Sequence, residues 1–94
     1  MTILSIDYGR RQIGLAIFQN DQVFTIPPIS GESRFVLRDK LNQVVDQYEP
    51  QVIILGKPPH GPIQKDVETL KNFLEQRNKT VHLIDEGLTT VQAE

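Results

Sequence analysis

The chain has 94 residues, 38% of them hydrophobic and 23% charged, with a formal net charge of −2, which bounds it to one domain with a single core and an ordinary globular composition. It contains no cysteine, which excludes a disulfide framework and a thiolate zinc site. No apolar run approaches the ~20 residues of a membrane span and no cleavable apolar leader opens the chain, so the sequence predicts a cytoplasmic protein without a membrane partner; the slight acidic excess does not decide for or against nucleic acid, because an acid cluster that holds metal lowers the sum while a basic face stays local.

In chain order, Ile3–Asp7 reads as a short apolar strand, and Gly9 and Gly14 bracket a turn. Ile13, Leu15 and Ile17 then alternate with Gly14, Ala16 and Phe18, a period of two with small residues on one face that predicts a closely packed second strand. Asn20-Asp21 is a turn signal, Val23–Ile26 a third strand, and Pro27-Pro28 is expected to end it. Together these make a three-stranded antiparallel meander. Ser30 or Ser33 caps a helix whose apolar stripe is Leu37, Leu41, Val44, Val45 and Tyr48, punctuated by Pro50. Val52–Leu55, ending in Gly56, lacks alternation and fits a central strand covered on both faces. After a proline-rich loop over Lys57–Pro62, Ile63, Val67, Leu70 and Leu74 mark a second amphipathic helix with Asn78 as its stop, and Val81–Ile84 is a fifth strand leading into Asp85-Glu86-Gly87.

Thr89 and Gln92 match a capping box, with Leu88 and Ala93 placed as a hydrophobic staple. One helical turn cannot overcome nucleation, so the sequence is expected to be a piece of a longer protein or a version that lost its last helix. The order β-β-β-α-β-α-β predicts an α/β fold with a mixed five-stranded sheet, helices on its faces and a truncated C-terminal helix, all within one domain over 1–94. The four phenylalanines 18, 24, 35 and 73 fall on strand and helix positions and are expected in the core.

Asp7 ends a buried strand beside a glycine turn. There it either meets a ligand above the sheet edge or only caps the turn through the Gly9 backbone. Asp85 and Glu86 taken alone are a solvated acid pair, but strands one, four and five of a crossover sheet are parallel and bring Asp7, Gly56 and Asp85-Glu86 to one edge. Carboxylates converging there repel unless a cation neutralises them. Oxygen ligands without cysteine or histidine favour Mg2+ or Mn2+ over zinc, and such ions suit attack on a phosphodiester. Arg10 and Arg11 on the glycine turn and Lys57 after the fourth strand are placed to contact phosphates; singly, each also reads as exposed surface charge. His60 reads as a solvated loop residue more readily than as a ligand or acid–base group, and His82 as a packed or edge residue of the fifth strand.

With these residues in hand, the chain resembles the YqgF/RuvX family of RNase H-like, Holliday junction resolvase-like nucleases implicated in trimming the small-subunit (pre-16S) ribosomal RNA precursor. Three segments carry the resemblance: Ile6-Asp7-Tyr8-Gly9 with Ile13-Gly14-Leu15-Ala16, Val52–Gly56 with Pro58, and Asp85-Glu86 with Leu88-Thr89-Thr90 and Ala93-Glu94. The resemblance implies that Asp7 is the central metal-binding carboxylate and Glu86 the second, with Asp85 supporting it. It also implies a third acid from a later helix that this sequence does not contain, and a site with two of three acids is expected to bind metal weakly. Gln12 and Gly87 stand where relatives usually carry arginine, which removes two guanidinium groups from the expected phosphate path.

The leading expectation is therefore a hydrolase: a metal-dependent nuclease acting on structured RNA or branched DNA, with this chain alone inactive or weakly active. The competing class is a non-catalytic nucleic-acid-binding or scaffold module on the same fold, which the missing acid and arginines favour. Half of an actin-like sugar kinase or chaperone ATPase is a distant third, since 94 residues leave no room for a second phosphate loop and domain. An unpaired sheet edge and an orphaned helix start also predict a homodimer or a domain swap.

Overall fold

The computed structural model describes residues 1–9, 12–31, 33–57 and 63–85. Strand β1 (Thr2–Tyr8) is the middle of a five-stranded sheet whose other strands are β2 (Gln12–Gln19), β3 (Gln22–Ser30), β4 (Val52–Lys57) and β5 (Thr80–Asp85), in the order β3-β2-β1-β4-β5. Helix α1 (Arg34–Tyr48) links β3 to β4, and α2 (Ile63–Gln76) links β4 to β5. The first three strands pair antiparallel, as short connections require, whereas β1–β4 and β4–β5 are parallel and need the helical crossovers. This is an RNase H-like mixed sheet, the α/β fold expected from the element order. Among the described residues no helix is long and apolar enough to cross a membrane.

Alternation along the strands decides where the core sits. Leu4, Ile6 and Tyr8 of β1, Ile13, Leu15 and Ile17 of β2, Ile53 and Leu55 of β4, and Val81 of β5 share one face and are buried. Leu37, Leu41 and Val45 of α1 and Val67, Leu70 and Leu74 of α2 close over that face and complete the same core. The opposite face carries Ile3, Ser5 and Asp7, and its residues are half-buried or exposed. The uninterrupted apolar run of β4 is therefore not covered on both sides among the described residues: Ile53 and Leu55 are buried, while Val52 and Ile54 are only half-buried.

Local chemistry sets the element ends. Asn20 and Asp21 both take positive φ, 54° and 62°, the left-handed pair that a two-residue type I′ hairpin needs. Ser33, rather than Ser30, caps α1: its hydroxyl accepts from the Val36 amide at 3.2 Å, satisfying one of the free N–H groups of the first turn. At the other end Glu49 is left-handed and its amide donates to the Val45 carbonyl at 2.9 Å; Pro50 then prevents continuation. Arg77, just after α2, donates to Asn42 Oδ1 at 2.8 Å and pairs with Asp46, tying the two helices together.

Two further expectations are corrected. Pro27-Pro28 does not end β3, which runs on to Ser30. An edge strand tolerates residues without an N–H, and the sheet absorbs the pair as a bulge, because Ile13 pairs with Ile29 and Leu15 with Ile26, leaving Gly14 without a direct partner on β3. The phenylalanines are not core residues either: Phe18, Phe24, Phe35 and Phe73 are all exposed. Phe18 lies on the face away from the helices, and Phe24 is on the edge strand. Phe35 and Phe73 sit outside the buried stripes of their helices, on a shared surface groove. Position relative to the stripe, not side-chain type, fixed their burial.

Candidate functional site

Asp7 stands near the C-terminal end of the central strand, on the face that the helices leave open, and its side chain is exposed. Its partner in β2 is Gly14 and its partner in β4 is Gly56, and the row continues to Ile84 on β5. A carboxylate held between two glycines has no side chain beside it from either neighbouring strand. The β3 bulge lies beside this opening. Asp7, Gly9, Gln12, Gly14, Thr25 and Pro28 line a depression of ≈ 480 Å³. A Cβ added at Gly14 would meet the Asp7 Cβ at 3.6 Å, an ordinary contact that would nonetheless begin to fill the space beside the carboxylate.

The turn that follows β1 is fixed as tightly. The Gly9 amide donates to the Gln12 carbonyl at 3.1 Å, and a Cβ at Gly9 would come within 2.6 Å of that same oxygen. Only glycine allows the Gly9 and Gln12 backbones to approach in this way. The Gly9 amide is thus taken up by the Gln12 carbonyl.

Of the other residues singled out in the sequence, Lys57 and Asp85 are register partners at the ends of β4 and β5, one row beyond Asp7, Gly56 and Ile84. The structure therefore brings these backbone positions to one edge. Arg10, Arg11, Glu86, His60, Gly87 and the helix start at Thr89 lie outside the described residues. His82 is an exposed residue of edge strand β5, in the row of Ser5 and Ile54.

Among the described residues there is no group of three carboxylate, histidine or cysteine side chains able to hold a metal ion. The charged donor in the depression is the Asp7 carboxylate, whose oxygens fit a hard cation such as Mg2+ or Mn2+ and not a thiophilic one.

Sequence reasoning missed what lies behind Asp7. Tyr8, the next residue, points to the helix side and is only 4% exposed. Its hydroxyl has no hydrogen-bond partner among the described residues. Burial, and secondarily the charge of Asp66, push the Tyr8 phenol up from its ordinary 10.0, against the opposing pull of Arg38 and Arg34. Arg34 and Asp66, in the first turns of α1 and α2, pair at 2.8 Å. Strand alternation alone places Tyr8 opposite to Asp7, but nothing in the sequence links it to side chains 26 to 58 positions away. Gln12, Thr25 and Pro28 were likewise not foreseen as walls of the depression; the signal was Gly14 facing two consecutive prolines across a hairpin.

The whole chain, residues 1–94, matches the family model described as RuvX, Holliday junction resolvase. A protein of Buchnera aphidicola subsp. Baizongia pistaciae, named as a candidate pre-16S rRNA nuclease, is 31% identical over 101 aligned positions, covering 99% of this chain and 74% of its own length. A Maridesulfovibrio salexigens protein of the same name is also 31% identical, with 100% of this chain and 76% of its own length covered. Among solved structures, the fowlpox virus Holliday junction resolvase superposes with a TM-score of 0.65 at 24% identity over 90% of this chain. The chain spans 61% of that resolvase, so this likeness bears on the fold alone.

Proposed function

Because the chain belongs to the RuvX family of Holliday junction resolvases, we propose that it carries the core of a divalent-metal-dependent nuclease that hydrolyses phosphodiester bonds in structured RNA, the 5′ end of a pre-16S rRNA being the substrate its relatives' names suggest. The observation that carries this reading is the exposed Asp7 carboxylate on the central strand, flanked by Gly14 and Gly56 and opening into a depression of ≈ 480 Å³. In this reading Asp7 and Glu86 hold Mg2+ or Mn2+, with Asp85 supporting Glu86. A cation bound there supplies Lewis-acid polarisation of the phosphoryl oxygens and a more acidic water.

The chain's own groups do the rest. Asp7 accepts hydrogen bonds on an open face where the attacking water is oriented, and Gly14 and Gly56 leave lateral space for a sugar–phosphate backbone. Arg10, Arg11 and Lys57 serve as phosphate contacts in this reading. A cytoplasmic site of action, self-association as a homodimer or by a domain swap, and a 1–94 unit that forms one RNase H-like domain belong to the same proposal.

The test is cleavage of a structured RNA with Mn2+ titrated into the millimolar range. Asp7→Asn is expected to abolish cleavage while leaving the circular dichroism spectrum unchanged; cleavage undiminished in that variant would remove Asp7 from the site. Preference for a four-way DNA junction over the RNA would move the substrate to branched DNA.

A second reading, a nucleic-acid-binding module without catalysis, is favoured by one observation: the depression presents Gln12, a neutral amide, beside a single described carboxylate. RNA binding that persists in a chelator, with no product at any Mn2+ concentration, would establish it.

A further inference from the structure

The two edges of the sheet are built differently. β3 is an edge that discourages a further strand, since it contains Pro27 and Pro28 and a bulge opposite Gly14; such features blunt strand addition. β5 forms the other edge and has none of these devices. Thr80–Asp85 contains no proline, glycine or lysine and pairs with β4 without a register shift, and no strand among the described residues lies on its outer side.

Its outward groups can be identified. The Thr80 amide donates inward to the Gln51 carbonyl at 3.2 Å. Successive residues of a strand aim their backbone groups to opposite sides, so His82 and Ile84 also face β4, while Lys79, Val81, Leu83 and Asp85 present N–H and C=O outward. The side chain of Val81 is meanwhile buried in the core, and those of His82 and Ile84 are exposed on the open face. The outer edge is therefore a row of backbone donors and acceptors; in sequence a basic residue, Lys79, which has no ion-pair partner among the described residues, precedes the strand, and an acidic one, Asp85, ends it.

We propose that this edge is the docking site for a second copy of the same chain, through antiparallel β5–β5 pairing across a two-fold axis at His82. The register follows from the pattern. Outward-facing residues must pair with outward-facing residues, which leaves registers centred on a residue, from Thr80 to Ile84, and excludes those centred between two residues. Of these, only the one centred on His82 sets Lys79 opposite the partner's Asp85, twice by symmetry, and makes Val81 and Leu83 a reciprocal hydrogen-bonded pair. An isologous contact of this kind is self-complementary and closes at two copies. It joins two sheets into one of ten strands, with the helices of both copies on the same side. The inference rests on the self-association proposed above and gives it an interface, but it uses neither Asp7 nor a metal, so it fails or holds apart from the nuclease reading.

The lack of cysteine in the chain makes the register directly testable. His82→Cys puts two thiols on the axis in a non-hydrogen-bonded pair, with Cα atoms ~4.5 Å apart, within reach of a disulfide. Thr80→Cys puts its two thiols about 13 Å apart along the strands, out of reach. Mild oxidation should link His82→Cys into a dimer and leave Thr80→Cys monomeric. In the unmodified chain, sedimentation equilibrium should show a concentration-dependent dimer, with hydrogen-exchange protection of the Val81 and Leu83 amides rising in parallel. Lys79→Glu should weaken the dimer by roughly two- to thirty-fold, the range for two exposed ion pairs lost, and Lys79→Glu with Asp85→Lys should restore it. A monomer at near-millimolar concentration would overturn the proposal. So would equal cross-linking of the two cysteine variants, or protection of the Val81 and Leu83 amides that does not change with concentration, which would mean the chain covers its own edge.

Discussion

Replacing Gly14 by alanine separates stability from function at one position. Gly14 lies inside β2, opposite Asp7, with backbone angles that any residue adopts. A strand-interior glycine is less stable than alanine by roughly 0.5–1 kcal/mol, because it gives up more backbone freedom on folding. The new Cβ would rest at 3.6 Å from the Asp7 Cβ, an ordinary van der Waals distance, so no strain offsets the gain. For a domain of this size each kcal/mol moves Tm by about 4–8 °C, and Gly14→Ala should therefore melt roughly 2–8 °C higher. The same methyl group enters the depression beside the carboxylate, so metal-dependent cleavage should fall, and Gly14→Val, which fills more of it, should fall further. Thermal melts followed by circular dichroism, paired with an RNA-cleavage assay on the same samples, read both effects. A lower Tm for Gly14→Ala would show that the strand needs glycine there. Full cleavage by Gly14→Val would show that substrate does not pass on that side of Asp7.

Gly9→Ala should act in the opposite sense: its Cβ would lie 2.6 Å from a backbone oxygen, and relief requires a shift of the hairpin that costs about 1–3 kcal/mol, measured as a lowered urea midpoint. Ser33→Ala removes the acceptor of the Val36 amide and should reduce stability by roughly 0.5–2 kcal/mol; an unchanged midpoint would mean another group caps α1. Tyr8 gives a pH signature. Its phenol is raised by burial first and by Asp66 second, so above pH ~10 the unfolded chain ionises while the folded one resists. The stability it contributes is present below that value and is lost as pH climbs towards the folded pKa. Tyr8→Phe should flatten this alkaline decline in chemical denaturation, and, because the hydroxyl has no partner among the described residues, should leave stability near pH 7 unchanged or slightly higher. An equally steep alkaline decline in Tyr8→Phe would assign it to another group.

Much of the architecture was legible because two periodicities separate cleanly. Ile13, Leu15 and Ile17 at period two, and Leu37, Leu41 and Val45 at helical spacing, each named the buried side of their element. Parallel pairing of β1, β4 and β5 followed from the crossovers, and it took Asp7, Gly56 and Asp85 to one edge. What the sequence hid depends on partners distant in the chain. Pro27-Pro28 reads as a stop until β3 is known to be an edge, where missing donors do no harm. Phe18 reads as core until the helices are known to close over the other face. The Arg34–Asp66 pair and the buried Tyr8 hydroxyl depend on how α1 and α2 meet over the end of β1, and no local pattern encodes that meeting.

The placement of Asp7 between β2 and β4 also has a bearing on the order of assembly. Its β2 neighbour, Gly14, is seven positions away and is brought alongside by a hairpin, an event of microseconds. Its β4 neighbour, Gly56, is forty-nine positions away and arrives only when α1 has formed and the parallel crossover has closed, the slow and non-local class of contact. A chain that has completed residues 1–30 can therefore form the meander but holds its acidic residue with one glycine wall. The pocket is completed by the same long-range closure that completes the core.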